Sequence, residues 1–135
     1  MVDTLGLIVG VMVHAASLQD RDGAKKLLEK IRFNCPRMEK LWADGGYAGS
    51  FAQWVEHFTG WKMEIVHRDP GTEGFKVLPL RWIVERTFSW LNRYRRLSKD
   101  YELLPRASEN IIYLAMINLM LHRLAPEPVP YGYVQ

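Results

Sequence analysis

Asp44 closes the run Met38-Glu-Lys-Leu-Trp-Ala43 and is followed by Gly45-Gly46. That run has the length and composition of a short strand, so a carboxylate is offered at a strand's carboxyl end, where open α/β sheets place reactive groups. The same Asp-Gly-Gly is also an ordinary turn, because glycine adopts backbone angles that other residues resist and aspartate bonds its own turn. Arg81 and Glu85 are spaced so that both side chains stack on one helix face, about one turn apart. At a surface such a pair is worth only about 0.3–0.5 kcal/mol. Glu85, however, ends the run Trp82-Ile83-Val84, and those bulky neighbours predict a carboxylate that would be costly to bury without a task. Arg81, Arg86, Arg93, Arg95, Arg96 and Lys99 crowd into the same segment. They set up a positive field there, or else form a solvated helix end that complements the dipole.

The elements that must position these groups follow from periodicity. Val2 to Ala16 is an apolar, β-branched run punctuated by Gly6, which predicts the end of one strand, a turn at Leu5-Gly6 and a second strand to about His14. A helix follows from Asp20, which caps it; Ala24, Leu27, Leu28 and Ile31 are its apolar stripe, Lys25, Lys26 and Lys30 its wet side, and Cys35-Pro36 its end. After the strand that ends near Asp44, Phe51, Trp54, Val55 and Phe58 predict a helix over Ser50–Phe58 closed by Gly60, and Trp61 to His67 predicts another strand. Arg68 to Pro79 reads as a loop. A helix from Leu80 to about Leu97 carries Ile83, Thr87, Trp90, Leu91 and Tyr94 on one face. The last helix, Ala107 to Leu124, is apolar nearly all round and must be covered by something. Residues 126–135, with Pro126, Pro128 and Pro130, read as an extended tail beyond a single domain of residues 1–125.

Composition narrows the function classes. Of 135 residues, 48% are hydrophobic, which fits one globular α/β unit with a core. The apolar stretch Leu5 to Ala16 is too short for the roughly 20 residues of a membrane span and lacks the basic flank of a signal peptide, so the expectation is a cytoplasmic protein without membrane contact. Cys35 is the only cysteine, which excludes an intrachain disulfide and a cysteine zinc site. His14, His57, His67 and His122 stand too far apart for a histidine metal pair. A net charge of +3 and a pI of 9.1 permit nucleic acid as a partner without demanding it.

Four segments, in order, resemble the C-terminal half of IS5-group transposases, of the DDE type. They are Val2-Asp3-Thr4-Leu5-Gly6-Leu7 with His14-Ala15-Ala16 and Asp20-Arg21-Asp22-Gly23; Trp42-Ala43-Asp44-Gly45-Gly46-Tyr47; Arg81-Trp82-Ile83-Val84-Glu85-Arg86-Thr87-Phe88-Ser89-Trp90-Leu91; and Arg95-Arg96-Leu97-Ser98-Lys99-Asp100-Tyr101-Glu102. The resemblance reaches to about Ala125 and implies an RNase H-like mixed sheet with flanking helices. In that fold two Asp and one Glu bind two Mg²⁺ or Mn²⁺ ions and cut DNA at transposon ends. By motif match Asp44 is the second aspartate and Glu85 the glutamate, both metal ligands, with Arg81 and Tyr47 in support. Arg81 matches the arginine of the superfamily's tyrosine–arginine–glutamate–lysine signature, whereas Leu78 and Asn92 replace its tyrosine and lysine. Arg93, Arg95, Arg96 and Lys99 would contact DNA phosphates, contributing affinity without much sequence information.

The first aspartate of the family lies on a strand upstream of the Val-Asp-Thr-Leu-Gly segment, so the expectation is a truncated fold without its first strand, inactive alone and prone to self-association. Asp3 is the tempting replacement, yet its place before Thr4 and Gly6 predicts turn chemistry. Two alternatives stand beside this reading. One is a non-enzymatic DNA-binding or regulatory fragment, the other a subunit that complements a separately translated N-terminal transposase piece.

Overall fold

Apolar positions recurring every three to four residues decide the helices here, and a glycine decides where one of them stops. The computed structural model describes residues 1–66 and 80–125. Helix α1 (Asp20–Ile31) buries Leu28 and Ile31; helix α2 (Ser50–Thr59) buries Phe51 and Val55; together with Trp61 these five side chains form the core. Gly60 ends α2 in the left-handed conformation, φ 75°, with its N–H donating to the Glu56 carbonyl, a backbone state that costs glycine little. Strand β1 (Lys40–Asp44) precedes α2 and strand β2 (Lys62–Val66) follows it, and the two pair in parallel from Lys40↔Lys62 to Asp44↔Val66. Parallel neighbours require a crossover, and α2 supplies it. Alternation along β1 half-buries Leu41 and Ala43 and exposes Lys40, Trp42 and Asp44. Helix α3 (Arg81–Leu91) buries Ile83, Thr87 and Leu91, and helix α4 (Pro105–Leu124) buries Ser108, Ala115 and Met116. The class is α/β, as composition and patterning predict.

Several expectations need correction. The N-terminal run does not form two strands: the turn at Gly6 (φ 80°) is present, but only one antiparallel bridge, Val2↔Ile8, follows from it. Beyond the bridge the backbone is satisfied by side chains of α4, with Val11 N–H donating to Tyr113 Oη (3.2 Å) and Val13 N–H to Glu109 Oε1 (3.1 Å). Asp20 is not the cap of α1. Gln19 holds that position without a side-chain bond, and Asp20 and Asp22 lie in the first turn, where negative charge complements the helix dipole. Lys25 is half-buried with its ammonium over the Trp54 ring rather than on the wet side.

Helical geometry after α1 ends with a 3₁₀ turn, Arg32–Asn34, before Cys35. The strand predicted from Met38 begins at Lys40. The helix predicted to Leu97 stops at Leu91, and Arg95–Leu97 forms a separate 3₁₀ turn. Proline at the start of α4 extends that helix back to Pro105, a position where its missing N–H is harmless. The cover required by α4 is incomplete, since Leu114, Ile117, Leu121 and Leu124 are exposed among the described residues. The loop at Arg68–Pro79, with Leu78, as well as His67 and the tail 126–135, lie outside the described residues.

Candidate active site

β1 ends at Asp44, whose carboxylate turns back on its own loop: Oδ1 accepts the Gly46 N–H at 2.9 Å, at the start of the 3₁₀ turn Gly45–Tyr47. A Cβ on residue 46 would meet that same oxygen at 2.9 Å, so a larger residue there would push the Asp44 carboxylate off this bond. Two residues of α1 reach this loop. Arg21 Nε donates to the Gly46 carbonyl at 2.6 Å. Asp20 and Asp44 both raise the pKa of the half-buried Tyr47 phenol, after the larger effect of its own burial, because nearby negative charge disfavours the phenolate. Tyr47 is in turn packed on Phe51, ring centroids 5.4 Å apart. Spacing singled out neither Asp20 nor Arg21 for this place; their trace in the sequence is the segment Asp20-Arg21-Asp22-Gly23, part of the family resemblance.

Glu85 stands on α3 and pairs with Arg81 (Nε–Oε1 3.4 Å), the two side chains 66% and 65% exposed. The expectation of a carboxylate among burying neighbours is therefore wrong for Glu85. Ile83 alone of that run turns inward, while Trp82, Val84 and Phe88 are themselves exposed. What fixes α3 is the opposite side of the helix. Thr87 Oγ1, buried, donates to Gly6 O at 2.7 Å and lies 3.0 Å from Ile83 O, and Arg86 Nη2 donates to Leu5 O at 2.8 Å. Arg86 also lies between the rings of Trp82 (4.4 Å) and Trp90 (4.9 Å), and Arg123 covers Trp90 at 4.3 Å. Arg86 is thus a packing residue that docks the N-terminal turn on α3, not a member of the solvent-facing positive field.

Asp44 and Tyr47, together with Arg81 and Glu85 from a distant part of the sequence, line a single cleft of about 620 Å³. Its remaining walls are largely apolar and come from β1 and β2, α1, α3, the segment Met1–Val11, Phe51 of α2 and Ile112 of α4. Both carboxylates are exposed oxygen donors of the kind hard divalent ions prefer, and Asp44 Oδ1 and Glu85 Oε1 each hold one local partner. Among the described residues, no group of three or more His, Cys, Asp or Glu side chains is placed to hold a metal. The two carboxylates fit as part of a donor set and do not make a whole one. Asp3 is not a third member: Oδ1 accepts the N–H groups of Leu5 (2.9 Å) and Leu7 (2.8 Å), which is turn chemistry.

The basic segment lies past the end of α3. Arg93, Arg95, Arg96 and Lys99 are all exposed, and Arg96 pairs with Glu102. The segment is fastened to the start of α4 through Ser108 Oγ, which donates to Asp100 Oδ1 at 2.9 Å. Among the described residues, no helix is long and apolar enough to cross a membrane.

Residues 1–120 match the family described as Transposase DDE domain. No curated protein and no solved structure matches the chain. The match covers every element named above up to the last turn of α4, including β1 with Asp44 and α3 with Glu85, and on that basis the chain belongs to the transposase DDE domain family, whose business is DNA transposition.

Proposed function

We propose that this chain carries the second and third carboxylates, Asp44 and Glu85, of an IS5-group transposase with an RNase H-like fold. In this reading the first aspartate, which would complete the donor set, comes from outside the described residues. The observation that carries the reading is that Asp44 and Glu85 line one cleft although they belong to different elements. β1, which delivers Asp44, pairs with β2 on one side only among the described residues and also lines that cleft. An unpaired strand edge beside an apolar cleft is the setting in which a further strand adds.

In the complete site Asp44 and Glu85 would be ligands of Mg²⁺ or Mn²⁺, and bound divalent ions would supply Lewis-acid activation of water and of a DNA 3′-hydroxyl. The chain's own groups do the rest. Arg81 restrains the Glu85 carboxylate through its ion pair. The Gly46 N–H holds one oxygen of Asp44 and leaves the other to bind. Tyr47, kept neutral by burial and by the two aspartates, presents a phenol rather than a phenolate beside Asp44. Arg93, Arg95, Arg96 and Lys99 neutralise DNA phosphates, so binding falls steeply with salt.

Cleavage of transposon-end DNA with Mg²⁺ or Mn²⁺ tests the reading. The chain alone should not cut. Addition of the N-terminal piece of a close relative should restore cutting, and Asp44→Asn or Glu85→Gln should abolish it. Robust cutting by the chain alone, or restored cutting that survives Glu85→Gln, would overturn the assignment.

A second reading, a DNA-binding or regulatory fragment, is favoured by the local partners of both carboxylates, Gly46 and Arg81, which give each a structural use. DNA binding indifferent to metal, with no cutting in the complemented complex, would favour it.

A further inference from the structure

Five side chains from α1, its 3₁₀ extension and α2 form a continuous stack outside the cleft. The Lys25 ammonium lies 5.7 Å from the centre of the Trp54 ring; Trp54 and Phe58 stack at 4.7 Å with 12° between planes; the Arg32 guanidinium lies 4.3 Å from Phe58 and 4.3 Å from Phe33. Arg32 is further pinned by Nη1, which donates to the Phe58 carbonyl at 3.3 Å. The order along the stack is cation, ring, ring, cation, ring, and the last ring is the unusual one. Phe33 is 76% exposed although the Arg32 guanidinium covers part of it, so most of its surface is open to solvent. A large aromatic side chain gains by burial, yet this one is held out on a short 3₁₀ turn with a cation behind it. The flanking sequence is basic: residues 25–37 contain Lys25, Lys26, Lys30, Arg32 and Arg37 against the single acid Glu29, and of these cations Lys30 is ion-paired with Glu109 at 3.3 Å.

We propose that Phe33 is a stacking platform for an unpaired base of single-stranded nucleic acid, with the exposed Lys26 and Arg37 nearby in sequence following the phosphates. An open ring fixed at one end of a cation–aromatic stack offers what a base needs, a π-face already ordered, and the surrounding cations track the backbone. Duplex DNA keeps its bases paired and stacked on one another, so it can use the cations but not the ring. The similar ladder of Trp82, Arg86, Trp90 and Arg123 does not present the same feature, because its most exposed ring, Trp82, is 45% exposed against 76% for Phe33. The inference uses neither Asp44 nor Glu85 and is independent of the proposed metal chemistry.

The test is fluorescence anisotropy of the full chain with labelled oligothymidylate of about ten nucleotides and with a duplex of equal length, in EDTA. Phe33→Ala should weaken the single strand by about tenfold and leave the duplex unchanged; Phe33→Trp should keep or tighten the single strand, and Phe33→Leu should behave as Phe33→Ala. The exposure of Phe33 makes loss of fold an unnecessary explanation, and circular dichroism of each variant checks it. Equal weakening on both ligands, unchanged single-strand binding in Phe33→Ala, or full retention by Phe33→Leu would each overturn the proposal.

Discussion

Tyr47 holds its phenol half-buried beside Asp20 and Asp44, and burial first, then the two negative charges, raises its pKa above the ordinary 10.0. The folded state therefore favours the neutral phenol more than the unfolded state does. That contribution to stability is fully present below pH 10.0 and is lost as pH rises through the higher folded value. Tyr47→Phe should accordingly lose less Tm between neutral pH and the alkaline range than the parent chain, and an equal loss would remove the phenol from the account. Thr87 is the other residue with a sharp consequence. Thr87→Val removes a buried donor and leaves the Gly6 carbonyl without its 2.7 Å bond, so urea unfolding should show a loss of about 1–3 kcal/mol. An unchanged midpoint would mean that water replaces the hydroxyl. At this scale the sequence was informative where partners are close along the chain: Asp44 with Gly46, Arg81 with Glu85, Asp3 with its own turn. It placed Thr87 on the buried face and Arg86 in the positive cluster but named no partner for either, since Gly6 and Leu5 lie 81 residues away, and it misjudged Glu85 because bulky neighbours in sequence need not be buried neighbours in space.

α2 was legible almost to the residue, because a regular apolar stripe and a closing glycine both act within one turn. The N-terminal segment was not. β-branched residues state a preference for extended backbone but not which partner takes the N–H groups, and here Tyr113 and Glu109 of α4 take two of them. The length of α3 was overestimated since Tyr94 continues the apolar period past Leu91, where the backbone has already left the helix. α4 carries the clearest prediction among the elements. Leu114, Ile117, Leu121 and Leu124 fall at three- and four-residue spacing along one exposed stripe, and such a surface promotes association. Replacing Leu114 and Leu121 together by Lys should reduce light scattering and shift sedimentation towards the monomer, with Tm changed by no more than a few degrees. A large fall in Tm would show that this stripe is covered within the chain after all.

For the whole molecule, family and α/β class follow from motifs in order, while the arrangement of the cleft is a property of the assembled elements. Asp44 on β1 and Glu85 on α3 both line one cleft, and α3 is fastened to the N-terminal turn through Thr87 and Arg86, a long-range link that spacing cannot express. The central claim is that Asp44 and Glu85 serve one metal site in the complemented complex. Fe²⁺ can take the place of Mg²⁺ at oxygen-rich sites, and with ascorbate and peroxide it cuts the polypeptide beside its own ligands. Mapping those cuts in the complex of this chain with an N-terminal transposase piece should show two clusters, one near Asp44 and one near Glu85, both suppressed by excess Mg²⁺ and both lost in Glu85→Gln. Cuts at only one of the two carboxylates, or at neither, would contradict the shared site.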